Sequence, residues 1–250
     1  MNYVLIVFVF ILGMLLASFF NVIAIRVPNK MTLLGRSKCP KCGHDLRLVD
    51  VLPLIGYVIN LGKCHFCKEK ISIKYIVIEL IGGFFFFTVY YIYGFSIPFI
   101  VAILMFSVLL IESISDLEYL EVIDIVWIIG VVPLIVIRII QGSTIEYFLS
   151  SGVLFFFLLI LSVAGKKFFK KEVLGGGDIK LYLFIGLVLP IINAFLSLFI
   201  ASLIGFIYGI FQLKKHKNEI PLVPFISIGV IVAFFFGNSI INWYLSLLGM

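Results

Sequence analysis

Eight long apolar runs occupy most of the 250-residue chain, at roughly 3–25, 76–93, 97–115, 122–141, 145–164, 179–190, 192–213 and 222–246. About 20 apolar residues suffice to cross the hydrocarbon core of a bilayer. Lipid offers the backbone no hydrogen-bond partner, so runs that lack alternating polarity are predicted to be helices. The composition agrees: 63% of residues are hydrophobic and 13% charged, with a mean hydropathy of +1.24. A soluble domain is nearer half apolar and a quarter charged. The expected fold is an all-α polytopic membrane protein of about eight transmembrane helices, with a small cytoplasmic loop domain between helices 1 and 2. The expected division is a first helix over 1–25, a loop domain over 26–75 and a transmembrane domain over 76–250. The first run has no basic residue before it and is long enough to span, which reads as an anchor rather than a cleaved signal.

The basic residues orient these helices. Ten lie in segment 26–75: Arg26, Lys30, Arg36, Lys38, Lys41, Arg47, Lys63, Lys68, Lys70 and Lys74. Lys166, Lys167, Lys170, Lys171 and Lys180 form a second cluster, and Lys214, Lys215 and Lys217 a third. Of the 19 Lys and Arg residues only Arg138 lies elsewhere. All three clusters fall in odd-numbered loops. With eight spans, the positive-inside rule then puts those loops in the cytoplasm and both termini outside, in a plasma membrane. The net charge of +6 thus reports loops facing anionic lipid; no basic run suits nucleic acid. The third odd loop, "ESISDLEYLEVID", carries Glu112, Asp116, Glu118, Glu121 and Asp124 and no basic residue. Parity places it on the same face. The sixth run is short, and the 33 residues between Lys180 and Lys214 are few for two full crossings. Asp178 is therefore expected near hydrocarbon depth, beside a cavity that water can reach. The run Phe84 to Phe87 is expected to face lipid, and no internal repeat is evident.

Loop one holds "CPKCGHDL" and "CHFCKEK", with 21 residues between Cys42 and Cys64. Two C-x2-C pairs at this spacing suit a four-thiolate zinc site formed by Cys39, Cys42, Cys64 and Cys67. Four thiolates leave no open coordination position, so the zinc is expected to be structural. Four unrelated thiols or a redox pair are the plainer alternatives; His44 and His65 adjoin the cysteines and read as surface residues.

The stretch "LGGGDIKL" (Leu174 to Leu181) sets three glycines and an aspartate at the start of an apolar run. Glycine weakens a helix by about 1 kcal/mol, and a carboxylate in hydrocarbon costs about 2.5–3.5 kcal/mol on insertion scales. Asp116 and Asp178 are each expected at the cytoplasmic end of a helix. Two neighbouring carboxylates share a proton, so one can act as base toward water and the other as acid toward a carbonyl or leaving amine. That is peptide hydrolysis without a covalent intermediate. Gly175, Gly176 and Gly177 are expected to let the backbone take unusual angles and approach a substrate closely, with Lys180 either at the substrate or snorkelling. The plainer readings are Asp178 as a helix N-cap and Asp116 as a solvated acid. A proton-coupled multi-pass transporter using the same two aspartates, or a zinc-bearing scaffold, remains open from the residues alone.

Several motifs then occur in order: "ASFFNVIAIRVP" (Ala17 to Pro28), both cysteine pairs, "ISIKYIVIEL" (Ile71 to Leu80), "SDLEYLEVID" and "LGGGDIKL". Together they resemble the bacterial type IV prepilin peptidases, the G-x-G-D membrane aspartyl proteases. The resemblance implies that Asp116 and Asp178 are the catalytic pair. The substrates would be prepilins or pseudopilins with class III-type signal peptides: a short basic leader, a glycine before the cut, then an apolar helix held in membrane lipid. Glu118 and Glu121 would complement such a leader. Many members also N-methylate the new terminus from S-adenosylmethionine, with the first loop implicated. Asn21, Arg26 and Glu79 match family motifs and read either as packing and anchoring residues or as site residues. Asp124 is a rival to Asp116 that the resemblance makes a helper or structural acid. The chain departs from the family where Ile123 and Ile76 stand in place of prolines, and it lacks the tryptophan often found after the first cysteine pair.

Overall fold

The structure, a computed structural model, describes residues 3–170, 174–213 and 220–249. Lys171, Lys214, Lys215 and Lys217, used above for orientation, lie outside them. The described residues are helical, with no strand and two isolated antiparallel bridges. The chain divides into two compact units, Met1–Ile103 and Leu104–Met250.

The first unit holds α1 (Tyr3–Arg26), α2 (Leu48–Val51), α3 (Ile55–Ile59), α4 (Lys74–Tyr93) and the start of α5 (Ile97–Tyr119). α1 and α4 pack through Gly13 and Ala17 on one side and Gly82 and Phe86 on the other. Small residues let two backbones close together where no hydrophobic effect drives helices into contact. The helical period places Phe86 one turn after Gly82 on this same face. Phe86 is therefore only 1% exposed while Phe84 is 58% exposed, which corrects the expectation that the whole run 84–87 faces lipid. Arg26, in the last turn of α1, donates to the carbonyls of Thr32 and Leu33 at 3.2 Å each. It thereby ties down the chain as it leaves the helix. Glu79, buried in α4, accepts from Ser18 Oγ and from the Leu54 N–H, both at 3.0 Å.

The second unit holds the rest of α5 with α6 (Asp124–Ile140), α7 (Thr144–Phe169), α8 (Gly176–Val188), α9 (Ile191–Leu213) and α10 (Val223–Leu247). α8 is the inner element: it packs on α6, α7 and α9, and nine of its 13 residues are buried. Its length is about 20 Å at 1.5 Å per residue. The carbonyls at its C-terminal end cannot reach water and find partners in the protein. Arg138 Nε donates to Leu187 O and Nη2 to Val188 O, each at 2.9 Å. Ser150 Oγ donates to Leu189 O at 2.9 Å and Ser151 Oγ to Leu183 O at 2.7 Å. The guanidinium also bonds Gln141 Oε1 at 2.7 Å and lies 3.5 Å from the centre of the Tyr147 ring. The one arginine outside the basic clusters is thus a cap for α8.

Helices stand at all eight positions expected from the apolar runs. Among the described residues six are long and apolar enough to cross a membrane: α1, α4, α5, α7, α9 and α10. α6 has 17 residues and α8 has 13.

Replacing Arg138 by Met should orphan two buried carbonyls, at about 1–3 kcal/mol each. The expected result is a clear fall in the melting temperature of the detergent-purified protein. Ser150→Ala, which orphans one carbonyl, should cause a smaller fall.

Candidate active site

Asp116 lies in the last turn of α5, and Asp178 is the third residue of α8. Both are buried, at 6% and 8% exposure. They line one cavity of about 270 Å³ together with Leu120, Glu121, Val122, Asp124, Gly175, Gly176, Gly177 and Lys180. Asp116 Oδ2 accepts the Val223 N–H at 2.9 Å, at the first residue of α10. The positive end of that helix suits a carboxylate. Asp178 is not an N-cap; Gly175 holds that position, with no side-chain cap bond. The first-turn N–H groups of α8, which have no intrahelical partner, therefore sit at the cavity without a capping side chain. A second, apolar crevice of about 90 Å³ also borders Asp178, between Leu158, Tyr182, Leu198 and Ile226.

Asp124 and Lys180 meet at the cavity rim. Lys180 Nζ lies 2.8 Å from Asp124 Oδ2 and 3.1 Å from Oδ1, while Trp127 Nε1 donates to Oδ1 at 3.1 Å. Both partners of this ion pair are about half exposed, so it contributes little stability. It links the N-terminus of α6 to α8. Lys180 is paired rather than extended alone toward the interface.

The glycines act through space rather than through unusual angles. None of Gly175, Gly176 and Gly177 has a positive φ, which corrects that part of the sequence reading. A Cβ on Gly177 would lie 2.6 Å from Val122 Cβ, and one on Gly175 would lie 2.8 Å from Asp178 Oδ2. Gly176 has nothing within 4 Å of that position and faces open space. The triplet thus lets the α5–α6 turn and the Asp178 carboxylate close onto the start of α8, and leaves one bare stretch of backbone at the cavity.

Sequence reasoning grouped Glu112 with the loop acids and missed its place. It is fully buried, one turn before Asp116 on the same helix face. Its Oε2 accepts the Ile123 N–H at 2.7 Å. Ser115, also fully buried, donates from Oγ to Glu121 O at 2.7 Å. These two side chains fold residues 120–123 back onto α5 and set Val122 against Gly177. Ile123 stands where the resembled family has proline, and a proline would have no N–H to give.

In the first unit the four cysteines come together. Their sulfurs all lie within 4.8 Å of one another, with Cys39 Sγ and Cys67 Sγ 3.9 Å apart, and none forms a disulfide. Four thiolates at about 2.3 Å around a tetrahedral ion sit about 3.8 Å apart, so the cluster can hold a metal ion. The two halves are copies of one knuckle, which revises the expectation of no internal repeat. The Gly43 N–H donates to Cys39 O and the Lys68 N–H to Cys64 O. Lys38 bridges Asp45, and Lys63 bridges Lys70. The residue after each second cysteine is left-handed, Gly43 at φ 71° and Lys68 at φ 60°. His44 stacks on Phe66 at 4.3 Å, a packing role.

The class defined so far is a multi-pass helical membrane protein with two buried aspartates on one cavity and a tetracysteine cluster in its first loop. Residues 11–93 match the bacterial peptidase A24 N-terminal domain, and residues 103–210 match the type IV leader peptidase family. The chain belongs to the type IV leader peptidase family. It is 28% identical over 245 residues to the prepilin leader peptidase/N-methyltransferase of Bacillus subtilis, covering 95% of this chain and 97% of that protein. It is 29% identical over 251 residues to the protein of the same name from Vibrio cholerae, covering 94% and 98%. With the Neisseria gonorrhoeae protein of that name it shares 27% over 271 residues, covering 94% and 93%. No solved structure gives a significant match.

Two measurements of melting temperature in detergent test this geometry. Gly177→Ala should destabilise by about 1–3 kcal/mol through overpacking, while Gly176→Ala should leave the melting temperature unchanged. Ile123→Pro should destabilise by about 1–3 kcal/mol by removing the donor to Glu112. In a Glu112→Leu background the same change should cost much less, so that the double variant is less destabilised than the sum of the two singles, by an amount of the same order.

Proposed function

We propose that this chain is a membrane-embedded aspartyl endopeptidase that removes the leader of type IV prepilin-like proteins, cutting after the leader glycine. The observation that carries the reading is the meeting of Asp116 and Asp178, from two different helices, on one cavity beside the uncapped, glycine-built start of α8. One aspartate, ionised, takes a proton from water as its oxygen attacks the scissile carbonyl carbon. The other, protonated, first gives its proton to the carbonyl oxygen. When the tetrahedral carbon collapses, the aspartate that took the water proton gives it to the leaving nitrogen as the C–N bond breaks, and the other aspartate takes a proton back from a hydroxyl of the gem-diol, so the pair ends with its single shared proton. Substrate backbone lies along Gly175, Gly176 and Gly177, nearest Gly176 where space is open, with the first-turn N–H groups of α8 as donors and Lys180 at the rim. The active site faces the cytoplasm of a bacterial plasma membrane, the termini lie outside, and the helices at all eight apolar runs lie in the membrane, the short α6 and α8 included.

The domain over 26–75 holds one zinc ion through Cys39, Cys42, Cys64 and Cys67. A zinc ion held by these four thiolates would join the two knuckles, and with no open coordination position it would supply no chemistry to the cut. The curated relatives carry N-methyltransferase in their names, and we extend the proposal to methylation of the new N-terminus from S-adenosylmethionine.

The test is mass spectrometry of the new N-terminus of a prepilin-like substrate incubated with purified protein in lipid. Wild type is expected to cut after the leader glycine. Asp116→Asn and Asp178→Asn should each lower the rate by 10³-fold or more, about 4 kcal/mol of barrier, with melting temperatures retained. An added methyl mass only in the presence of S-adenosylmethionine would establish the second activity. Full cleavage by either variant would overturn the pair assignment.

A further inference from the structure

The segment Leu48 to Leu61, "LVDVLPLIGYVINL", is folded inside out for a water-facing loop. Its carboxylate is turned inward: Asp50 accepts from Arg47 Nη2 at 2.9 Å, Arg47 Nε at 3.0 Å and Asn60 Nδ2 at 2.8 Å. Asn60 also donates to Gly56 O at 2.7 Å. With its polar groups satisfied internally, the segment presents apolar side chains outward. Leu48 is 89% exposed, Val58 67%, Ile59 60% and Leu61 85%, and Leu52 and Ile55 are exposed beside them. Monomeric soluble surfaces rarely carry a continuous apolar patch of this kind.

A second observation fixes where the segment lies. The Leu54 N–H is bound to Glu79 Oε2, and Glu79 is the sixth residue of α4, a helix long and apolar enough to cross the membrane. Five residues at 1.5 Å set it about 7.5 Å along that helix from Lys74. The bond from Ser18 Oγ, on the neighbouring α1, holds the same carboxyl from the other side. The turn at Pro53–Leu54 is thereby tied below the end of a membrane helix rather than out in solvent. Exposed Lys63, Lys68 and Lys70 follow directly in the chain, and Arg47 precedes it.

We infer that residues 48–61 form an interfacial segment whose apolar side chains enter the headgroup and upper acyl region, with the flanking basic residues on anionic lipid headgroups. Segments of this kind bury their apolar face about 5–10 Å into the boundary, the depth at which Glu79 holds Leu54. Cations beside the surface add attraction to anionic lipid. The metal-binding knuckles would then be held against the bilayer on both sides of this segment, leaving little freedom to the connection (27–73) between α1 and α4.

The test uses the full chain in vesicles of phosphatidylcholine and phosphatidylglycerol. Trp127 and Trp243 are replaced by Phe, and a single tryptophan is introduced as Val58→Trp or, separately, Ile59→Trp. The expected result is loss of about half the emission or more with lipids brominated in the upper acyl chain, the depth given above, and little quenching by aqueous iodide. Quenching by iodide without quenching by bromolipid would place the segment in solvent and overturn the inference. Protection from both would show that protein covers it and would also overturn it. The unaltered chain supplies a measurement free of substitutions. A lipid-borne photoactivatable diazirine should label peptides from 48–61, and labelling confined to the membrane helices would count against the inference.

Discussion

A helix of 13 residues surrounded by other helices has two ends that lipid cannot satisfy, and the second unit is arranged around that constraint. At the C-terminal end of α8 the carbonyls of Leu187, Val188 and Leu189 are taken by Arg138 and Ser150. The arginine itself is buried, so its charge needs company. It has Gln141 and the face of Tyr147, the latter a cation–π contact that gains strength away from water. With that end fixed, the other end can be left without a side-chain cap. Its N–H groups, bare glycine backbone and Asp178 face a cavity instead. The short length also constrains Asp178: a helix of about 20 Å is shorter than a hydrocarbon core of about 30 Å, so its two ends cannot both lie at the surfaces of such a core.

The second carboxylate is placed by a different device. Asp116 ends α5 and binds the first N–H of α10. One oxygen is committed to that helix start, which orients the group. α5 carries two carboxyl groups one turn apart, and their environments separate their roles. Asp116 reaches the cavity, whereas Glu112 is fully enclosed and serves the backbone of the α5–α6 turn. That turn carries Val122, which fills the space a side chain on Gly177 would need. The path from Glu112 through Ile123 and Val122 to Gly177 is a chain of direct contacts, so the start of α8 is shaped in part by a residue that never touches the cavity.

Much of this was legible in the sequence, and the misses have physical causes. Helices fall where the apolar runs are, because lipid permits little else. Asp116 and Asp178 are drawn together by loop parity, which puts both on one membrane face, and by the motifs around them, and the cysteine pairs by their spacing. Arg138 was counted only as a charge out of line. Its signal was the short apolar run that follows it, since a short buried helix demands donors for its last carbonyls. The knuckle repeat was present as "KCPKC" and "KCHFC", 25 residues apart, but its evidence lies in backbone angles: the left-handed residue is Gly43 in one copy and Lys68 in the other. Glu112 looked like one more acid in an acidic loop. Only the helical period, which aligns it with Asp116, would have moved it indoors.

The departure from the family pattern at Ile123 gains a meaning from this packing. A proline there fixes the entry to α6 by restricting its own φ and removing a donor. Ile123 leaves an N–H at the helix start, in an extended conformation at φ −86° and ψ 100° and without a capping side chain of its own. A free donor at a buried turn is costly, and here a glutamate buried in α5 accepts it. The two residues form one solution to the problem that proline solves by itself: how to end one helix and begin the next beside a cavity without exposing backbone to lipid. The difference at position 123 is therefore a local exchange of ring constraint for a hydrogen bond, and the wall formed by Val122 and Gly177 is built on whichever device the turn employs.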